Sequence, residues 1–277
     1  MSTADTTNSS ASYSETNLST PAANIAIESH LHHPGSTIKL PYQFGPVPLD
    51  DEKVFFFDID NCLYHASYRI HDLMQVYIRK YIRKHLGVNE AEAKEINVKY
   101  YKEYGLAIQG LVYFHKIDAM KYNTEVDDSL PLHEILKPDP ELRKMLIKLR
   151  EANHLKRFWL FTNAYKNHGL RVIKLLGIGD LFDGMTFCDY EKQEKFICKP
   201  DSRIFEKAMR DAGVSDAKNA YFVDDSYKNC QTAIDLGFNK VVNVVENGDA
   251  TNTPEGCLSI STIHDLPKVL PELFEAN

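Results

Sequence analysis

Short runs of consecutive apolar residues alternate with helix-like patterns over most of the chain. The first run, from Val54 to Phe57, has no polar alternation and stops at Asp58. A strand that is apolar on both faces is typical of the centre of a parallel sheet. Apolar runs at 158–161 and 220–223 and mixed segments at 185–188 and 240–245 are predicted to be further strands. Because helical patterns separate these runs, the chain is predicted to form βαβ units and an α/β fold with a parallel sheet.

The stretch between the first two runs has helical periodicity only. Apolar residues recur with the spacing of one helix face from Ile70 to Ile82. Asn89 and Glu92 form a capping-box signature at the start of a second helix, and helical patterning continues to residue 121. We therefore predict a helical domain inserted after the first strand of the α/β core. The predicted domains are the core at 51–65 and 136–277 and the helical insertion at 66–135.

The first 50 residues are predicted to be an arm outside this fold. Residues 1–22 are rich in Ser and Thr, which predicts disorder, and 25–49 are rich in Pro and Gly, which predicts turns. The N-terminus has neither a basic nor an apolar segment, so no secretory or mitochondrial address is visible. The five cysteines form no CxxC pair, which is typical of free thiols in a reducing compartment. We expect the protein to be located in the cytoplasm, and a nuclear location is also compatible with the sequence.

Composition and charge exclude two classes of partner. The chain has 39 acidic and 32 basic residues and a net charge of −7, which argues against binding to a nucleic-acid polymer. Its longest apolar run is four residues, whereas a helix needs about 20 to span a bilayer. We therefore expect no membrane span and a small-molecule partner. The pattern carries no signal for the oligomeric state.

Polar side chains follow the predicted strands at the points where those strands end. In parallel sheets, ligands bind outside the carboxyl ends of the strands, so these side chains are expected to meet at one edge. Any one of them alone is more often a helix cap or a solvated charge. All of them at one edge predict a functional site. The residues that follow strands are Asp58, Asp60, Thr162, Asn163, Asp224 and Asp225, and Lys199 joins them from the start of the helix that precedes the strand at 220–223.

The string Val-Asp-Asp-Ser occurs twice, at 126–129 and at 223–226. The second copy ends a predicted strand. The first lies inside the helical stretch, where no strand precedes it, and it is interpreted as a loop at a helix end. Only the second copy is therefore assigned to the site.

These residues resemble the four motifs of the haloacid dehalogenase (HAD) superfamily, and the resemblance covers residues 53 to 245. It implies a Rossmann-like core with the helical insertion as a C1 cap. It also implies that Asp58 is a nucleophile that becomes an aspartyl-phosphate, and that Asp60 is the general acid and base. The implied phosphate ligands are Thr162, Asn163 and Lys199. The implied Mg²⁺ ligands are Asp58, Asp225, its close partner Asp224, and Asp60 through its main-chain carbonyl.

This chemistry also follows from elementary electrostatics. A carboxylate can attack a phosphate dianion only if cations cancel the repulsion between them. Mg²⁺ binds through a few carboxylates together with water and substrate phosphate, and a lysine ammonium favours the ionised form of a neighbouring carboxylate. Since Asp58 and Asp60 are two residues apart, both can reach one phosphorus only if the chain turns after Asp58. We predict that turn.

Three alternatives are weighed against a phosphatase. A dehalogenase of the same fold needs no acid at position 60, because no proton goes to an ester oxygen. A receiver-type signalling module has its acidic pair first in the chain, whereas here Asp224 and Asp225 come last. A non-catalytic HAD relative would not need the complete set of motifs. One departure from the family pattern is Asn229, where a further Asp often stands, which puts the outer shell of the metal in doubt.

The resemblance narrows further to the fungal pyrimidine 5′-nucleotidase branch of HAD phosphatases. It is carried by FFFDIDNCLY from residue 55, YYKEYGLAI from residue 100, LFTNAYKNH from residue 160 and CKP from residue 198. It implies hydrolysis of UMP and CMP. A similar fungal branch is associated with lysophosphatidic acid phosphatase activity, and a broad small-metabolite phosphatase is the other alternative. Tyr104 and Gln109, in the predicted cap, are candidates for substrate specificity.

Overall fold

The structure is a computed structural model that describes residues 33–192, 196–245 and 252–276. Its sheet has six parallel strands in the order β3-β2-β1-β4-β5-β6. The predicted α/β fold with a parallel sheet is therefore confirmed. The strands are β1 (Val54–Phe57), β2 (Arg157–Phe161), β3 (Gly184–Thr186), β4 (Ala220–Asp224), β5 (Lys240–Val244) and β6 (Leu258–Ile260).

The middle of the sheet positions the site. β1 pairs with β2 on one side and with β4 on the other, so the strand order reverses beside it. Phe57 is in register with Val223, and the residues that follow these two are Asp58 and Asp224. A reversal of this kind opens a crevice at the carboxyl ends of the two strands. The predicted site residues therefore start from neighbouring strands.

Helices fill the connections between the strands. The predicted capping box is present, because Asn89 accepts a hydrogen bond from Glu92 N while the Glu92 side chain accepts one from Asn89 N. The helical patterning predicted as far as residue 121 corresponds to two helices, because Lys116, with a φ of 55°, ends the first of them. Between β1 and β2 lie α1 (Ile70–Leu86), α2 (Glu90–Tyr104), α3 (Ala107–His115), α4 (Ala119–Glu125), α5 (Leu132–Ile135) and α6 (Pro140–Glu151). The later helices are α7 (Lys166–Leu175), α8 (Ser202–Asp211), α9 (Tyr227–Asp235) and α10 (Leu266–Val269).

One face of the sheet packs against α8 and α9 through aromatic side chains. The rings of Phe161 and Phe205 meet edge to face at 5.0 Å, and Phe56 and Phe222 are completely buried beside them. Such contacts give the sheet a dense apolar layer. The layer holds the strand ends in fixed positions, which is what a site assembled from several strands requires.

Part of the predicted arm hydrogen-bonds to the core. Lys39 N donates to Gly179 O at 2.8 Å, and Val47 N donates to Asp211 O at 2.9 Å. The stretch 1–22, predicted to be disordered, lies outside the described residues. The division of the chain into arm, core and cap stays a prediction. Across the described ranges, every helix is too short or too polar to cross a bilayer.

Candidate active site

The backbone leaves the strand immediately after β1, as predicted. Cys62 N and Leu63 N both donate to Ile59 O, at 3.3 and 3.0 Å, and Asn61 adopts a left-handed φ of 56°. Asparagine tolerates this region better than most residues. The turn carries Asp60 past Asp58, so that both carboxylates line one cavity.

Lys199 lies between the ends of β1, β2 and β4. Its Nζ donates to Oδ1 of Asp58 at 2.6 Å, to Oδ2 of Asp224 at 2.6 Å and to the main-chain oxygen of Phe161 at 2.7 Å. The ammonium is buried, and these three acceptors use all of its hydrogens. Lys199 therefore holds Asp58 through Oδ1 and leaves Oδ2 of that carboxylate for other partners.

The electrostatics of this cluster call for a further cation. Burial raises the pKa of Asp58 well above its usual range; Lys199 opposes this, but the charges of Asp224 and Asp225 add to it. Burial and the charge of Asp224 likewise raise the pKa of Asp225 to about 7. Three carboxylates face one ammonium, and oxygen atoms of Asp58, Asp224 and Asp225 lie within 4.8 Å of one another. A hard divalent cation with oxygen ligands fits this donor set.

Asp224 has little capacity left for a metal. Its oxygens accept from Lys199, from Ser226 N at 2.8 Å and from Nδ2 of Asn229 at 2.9 and 3.1 Å. Asn229, which departs from the family pattern, therefore orients Asp224 by donating its side-chain amide to both carboxylate oxygens. Asp225 is less engaged, with one long contact of 3.4 Å from Nδ2 of Asn61. Open carboxylate oxygens are thus found mainly on Asp58 and Asp225.

Thr162 and Asn163 follow β2 at the same edge. Oγ1 of Thr162 accepts from Ala164 N at 3.0 Å, which leaves the hydroxyl hydrogen for an acceptor in the cavity. The Asn163 amide bonds the main chain of Lys199 at both ends: Nδ2 donates to Lys199 O at 2.9 Å, and Oδ1 accepts from Lys199 N at 2.7 Å. Asn163 therefore fixes the segment that carries the lysine.

Asp60 has two partners that the sequence did not predict. Tyr64 donates its hydroxyl to Oδ1 at 2.6 Å, and Nε2 of His168 lies 2.7 Å from the same oxygen. Burial alone would raise the pKa of Asp60, but the charge of His168 and these hydrogen bonds outweigh it and lower the pKa. Burial lowers the pKa of His168, and the charge of Asp60 more than reverses this. The Asp60 carboxylate lies outside the group formed by Asp58, Asp224 and Asp225.

Both partners of Asp60 lie in strings that carry the family resemblance: Tyr64 ends FFFDIDNCLY, and His168 ends LFTNAYKNH. His168 also lies in the first turn of α7, six residues after Thr162. A helix that begins at the carboxyl end of a strand presents its first turn to the site. Neither signal assigned a role to these two residues.

A cavity of about 770 Å³ joins the sheet edge to the helical insertion. The insertion contributes Tyr104 and Gln109, the predicted specificity residues, together with apolar side chains of α1 such as Met74 and Ile78. It also contributes Asp127, which belongs to the first copy of Val-Asp-Asp-Ser, at 126–129, the copy that was not assigned to the site. That copy does lie in a loop after a helix, as predicted, but the loop borders the cavity.

Sequence comparison matches most of this chain to known proteins. The family model of the haloacid dehalogenase-like hydrolases matches residues 52–237. Phosphate metabolism protein 8 of Saccharomyces cerevisiae is 44% identical over 226 residues, which are 78% of this chain and 70% of the yeast protein.

Two solved structures share the fold. A HAD phosphatase from Thermococcus onnurineus has a TM-score of 0.53 at 20% identity, covering 79% of this chain and 97% of that one. A 2-haloacid dehalogenase from Pseudomonas syringae pv. Tomato has a TM-score of 0.51 at 22% identity, covering 80% and 99%. Since one is a phosphatase and the other a dehalogenase, the shared fold does not select the reaction. The family match and the yeast relative together establish that the chain belongs to the haloacid dehalogenase-like hydrolases.

Proposed function

We propose that the protein is a Mg²⁺-dependent phosphomonoester hydrolase that acts on pyrimidine nucleoside 5′-monophosphates through an aspartyl-phosphate at Asp58. The observation that carries this proposal is the pair of carboxylates from one turn. Asp58 is held by Lys199 at 2.6 Å, and Asp60 is held by His168 at 2.7 Å, in one cavity. A dehalogenase would have no use for an oriented acid at position 60. The name of the yeast relative refers to phosphate metabolism, which supports the same reaction class.

In the first step, Oδ2 of Asp58 attacks phosphorus and the bond from phosphorus to the ester oxygen breaks. Asp60 enters this step protonated, gives its proton to that oxygen, and the alcohol leaves. The lowered pKa makes Asp60 a stronger acid and reduces its protonated fraction at neutral pH. His168 and Tyr64 both occupy Oδ1 of Asp60, so Oδ2 is the oxygen that faces the leaving group. Thr162 donates its hydroxyl to a phosphate oxygen.

In the second step, Asp60 takes a proton from water, and the water oxygen attacks phosphorus. The bond from phosphorus to Asp58 breaks and inorganic phosphate leaves, which regenerates the Asp58 carboxylate and the protonated Asp60. Mg²⁺ held by Asp58, Asp225 and the main-chain carbonyl of Asp60 would supply positive charge against the phosphate dianion and favour the ionised form of Asp58. Lys199 keeps its ammonium beside Asp58 through both steps.

The helical side of the cavity supports a nucleotide as the substrate. Tyr101 and Tyr104 provide aromatic faces, on which a base can stack for about 1–3 kcal/mol. Gln109 provides an amide that can pair with a pyrimidine edge. The apolar side chains of Met74 and Ile78 favour a second candidate, lysophosphatidic acid, because they could contact an acyl chain.

A phosphate-release panel tests the proposal. Purified protein is assayed with UMP, CMP, AMP, GMP and lysophosphatidic acid, each with Mg²⁺ and with EDTA. We expect kcat/KM for UMP and CMP to exceed that for AMP and GMP at least about tenfold, because a pocket shaped for one ring system disfavours the larger one by 1–3 kcal/mol. EDTA should abolish release from every ester.

Two results of the panel would contradict the proposal at different levels. Release that continues in EDTA would remove the metal from the mechanism. If kcat/KM is highest for lysophosphatidic acid, that lipid and not a pyrimidine nucleotide is the substrate. The protein would still be a phosphomonoester hydrolase.

A second prediction concerns His168. Because His168 directs Asp60, His168→Leu should lower kcat/KM for UMP by about 10- to 100-fold, less than the roughly 100- to 10,000-fold that a general acid contributes, since Asp60 itself remains. p-Nitrophenyl phosphate has a good leaving group that needs little protonation, so its kcat/KM should fall less than threefold. His168→Gln keeps a donor and should recover part of the loss. Equal losses on both esters would show that His168 only supports the fold.

A further inference from the structure

Asp127 is a buried carboxylate that the mechanism does not use. The residue is 3% exposed, and it lines the same cavity as Asp58 and Asp60. Within the described ranges, no hydrogen bond reaches either of its carboxylate oxygens, yet neither oxygen is sealed from solvent. The side chain of Asp128 next to it accepts through Oδ2 from Asn123 at 2.9 Å and from Asn167 at 3.3 Å, while its Oδ1 is buried without a partner among the described residues. The Asp127 carboxylate therefore faces the cavity without a protein partner.

The main chain holds Asp127 in this position. Arg171, on α7, donates to the main-chain oxygens of Asp127 and Asp128 at 3.1 Å each and to that of Leu130 at 2.5 Å. These bonds fix the loop that follows α4 against the core. The side chain of Asp127 makes none of these bonds. It therefore points into the cavity from a loop whose main chain is anchored.

The position of Asp127 identifies the part of a substrate that it would meet. Arg171, which holds the main chain of Asp127, lies three residues after His168 on α7, and His168 bonds Asp60. Residues at this spacing share a helix face, so Asp127 lies on the side of the cavity where Asp60 protonates the leaving oxygen. Groups beyond that oxygen belong to the leaving alcohol. In a nucleoside 5′-monophosphate the first such group is the ribose, whose two neighbouring hydroxyls are hydrogen-bond donors.

We propose that Asp127 determines specificity by accepting hydrogen bonds from hydroxyl groups of the leaving alcohol, so that the site prefers esters of polyhydroxylated alcohols such as ribose. A buried carboxylate without donors is unfavourable, and two hydroxyls would supply the donors that it lacks. Burial raises the pKa of Asp127 to about 7, which agrees with a site that has no donors of its own. The inference rests on the proposed phosphatase function for its kinetic test.

Asp127→Asn tests the proposal on four esters: UMP, 2′,3′-dideoxyuridine 5′-monophosphate, ribose 5-phosphate and phenyl phosphate. We expect kcat/KM for UMP and ribose 5-phosphate to fall about 10- to 100-fold, the range for a hydrogen bond to a charged group. Values for the dideoxynucleotide and phenyl phosphate should change less than threefold. Asp128→Asn is the matched control and should leave the ratios among the four esters unchanged.

Other patterns would overturn the proposal. An equal loss on all four esters would make Asp127 a structural residue. A loss on both nucleotides with none on ribose 5-phosphate would assign it to the base instead. Calorimetric titration with uridine and 2′,3′-dideoxyuridine gives a readout that needs no turnover. Wild-type protein that binds both nucleosides equally, or binds neither, would also overturn the proposal, whereas failure of phosphate release alone would count only against the phosphatase function.

Discussion

Asp58→Asn is expected to lower turnover of every phosphate ester at least about 1,000-fold, as removal of a nucleophile does in other enzymes. An amide nitrogen or oxygen at this position cannot form the bond to phosphorus that Oδ2 of Asp58 forms. The fold should persist, because the Asn Oδ1 still accepts from Lys199. Burial and the charges of Asp224 and Asp225 disfavour the ionised form of Asp58. The midpoint of thermal unfolding of Asp58→Asn should therefore equal or exceed that of wild type.

The covalent intermediate provides a direct measurement. Wild-type protein quenched in acid during turnover of a ³²P-labelled ester should carry label that hydroxylamine releases, as expected for an acyl phosphate. Asp58→Asn should carry none. Asp235→Asn, an exposed residue at the end of α9, is the control and should retain both label and turnover. Turnover by Asp58→Asn within a few-fold of wild type would rule out the nucleophile.

Lys199→Met is expected to have the largest effect on stability. The substitution keeps the length of the side chain but leaves the buried carboxylates of Asp58 and Asp224 without their shared ammonium. Removal of one partner from a buried ion pair typically lowers the free energy of unfolding by about 3–5 kcal/mol. Activity should be lost as well, because Asp58 is no longer held.

The loss of stability should depend on pH in a defined direction. A carboxyl whose pKa is higher in the folded protein than in the unfolded chain binds a proton on folding, so stability is greatest at low pH and falls as pH rises through the folded value. Burial and Asp224 already place the pKa of Asp225 at about 7. Without Lys199, the pKa of Asp58 should rise further. The difference in unfolding free energy between wild type and variant should therefore widen from pH 5 to pH 8.

Urea unfolding in EDTA at the two pH values measures this difference. Lys268→Met is a suitable control, because Lys268 forms an exposed ion pair with Asp265 at 2.6 Å. Its substitution should lower the free energy of unfolding by less than about 1 kcal/mol, the usual range for exposed pairs. A Lys199→Met variant as stable as the Lys268→Met variant, or one whose deficit shrinks at pH 8, would contradict the role of Lys199 in stabilising the buried carboxylates.

Elements with a strong local pattern were predictable. β1, β2 and β4 are apolar on both faces, and only the centre of a covered parallel sheet accepts such strands. β6 was not predicted, because it has three residues, two of them only half-buried, and so gives no clear pattern. The break at Lys116 was also missed, since the apolar spacing continues across it while the backbone turns.

The amino-acid sequence by itself determined the α/β fold and the strand ends that bring Asp58, Thr162 and Asp224 to one edge. It could do so because a buried strand has a local signature and parallel strands end at a shared edge. Only the tertiary structure decided that His168 holds Asp60 and that Asp127 faces the cavity. The first contact joins residues 108 positions apart, and the second depends on how the loop after α4 packs against α7. Such contacts arise from the packing of whole elements, which no local pattern of apolar and polar residues encodes.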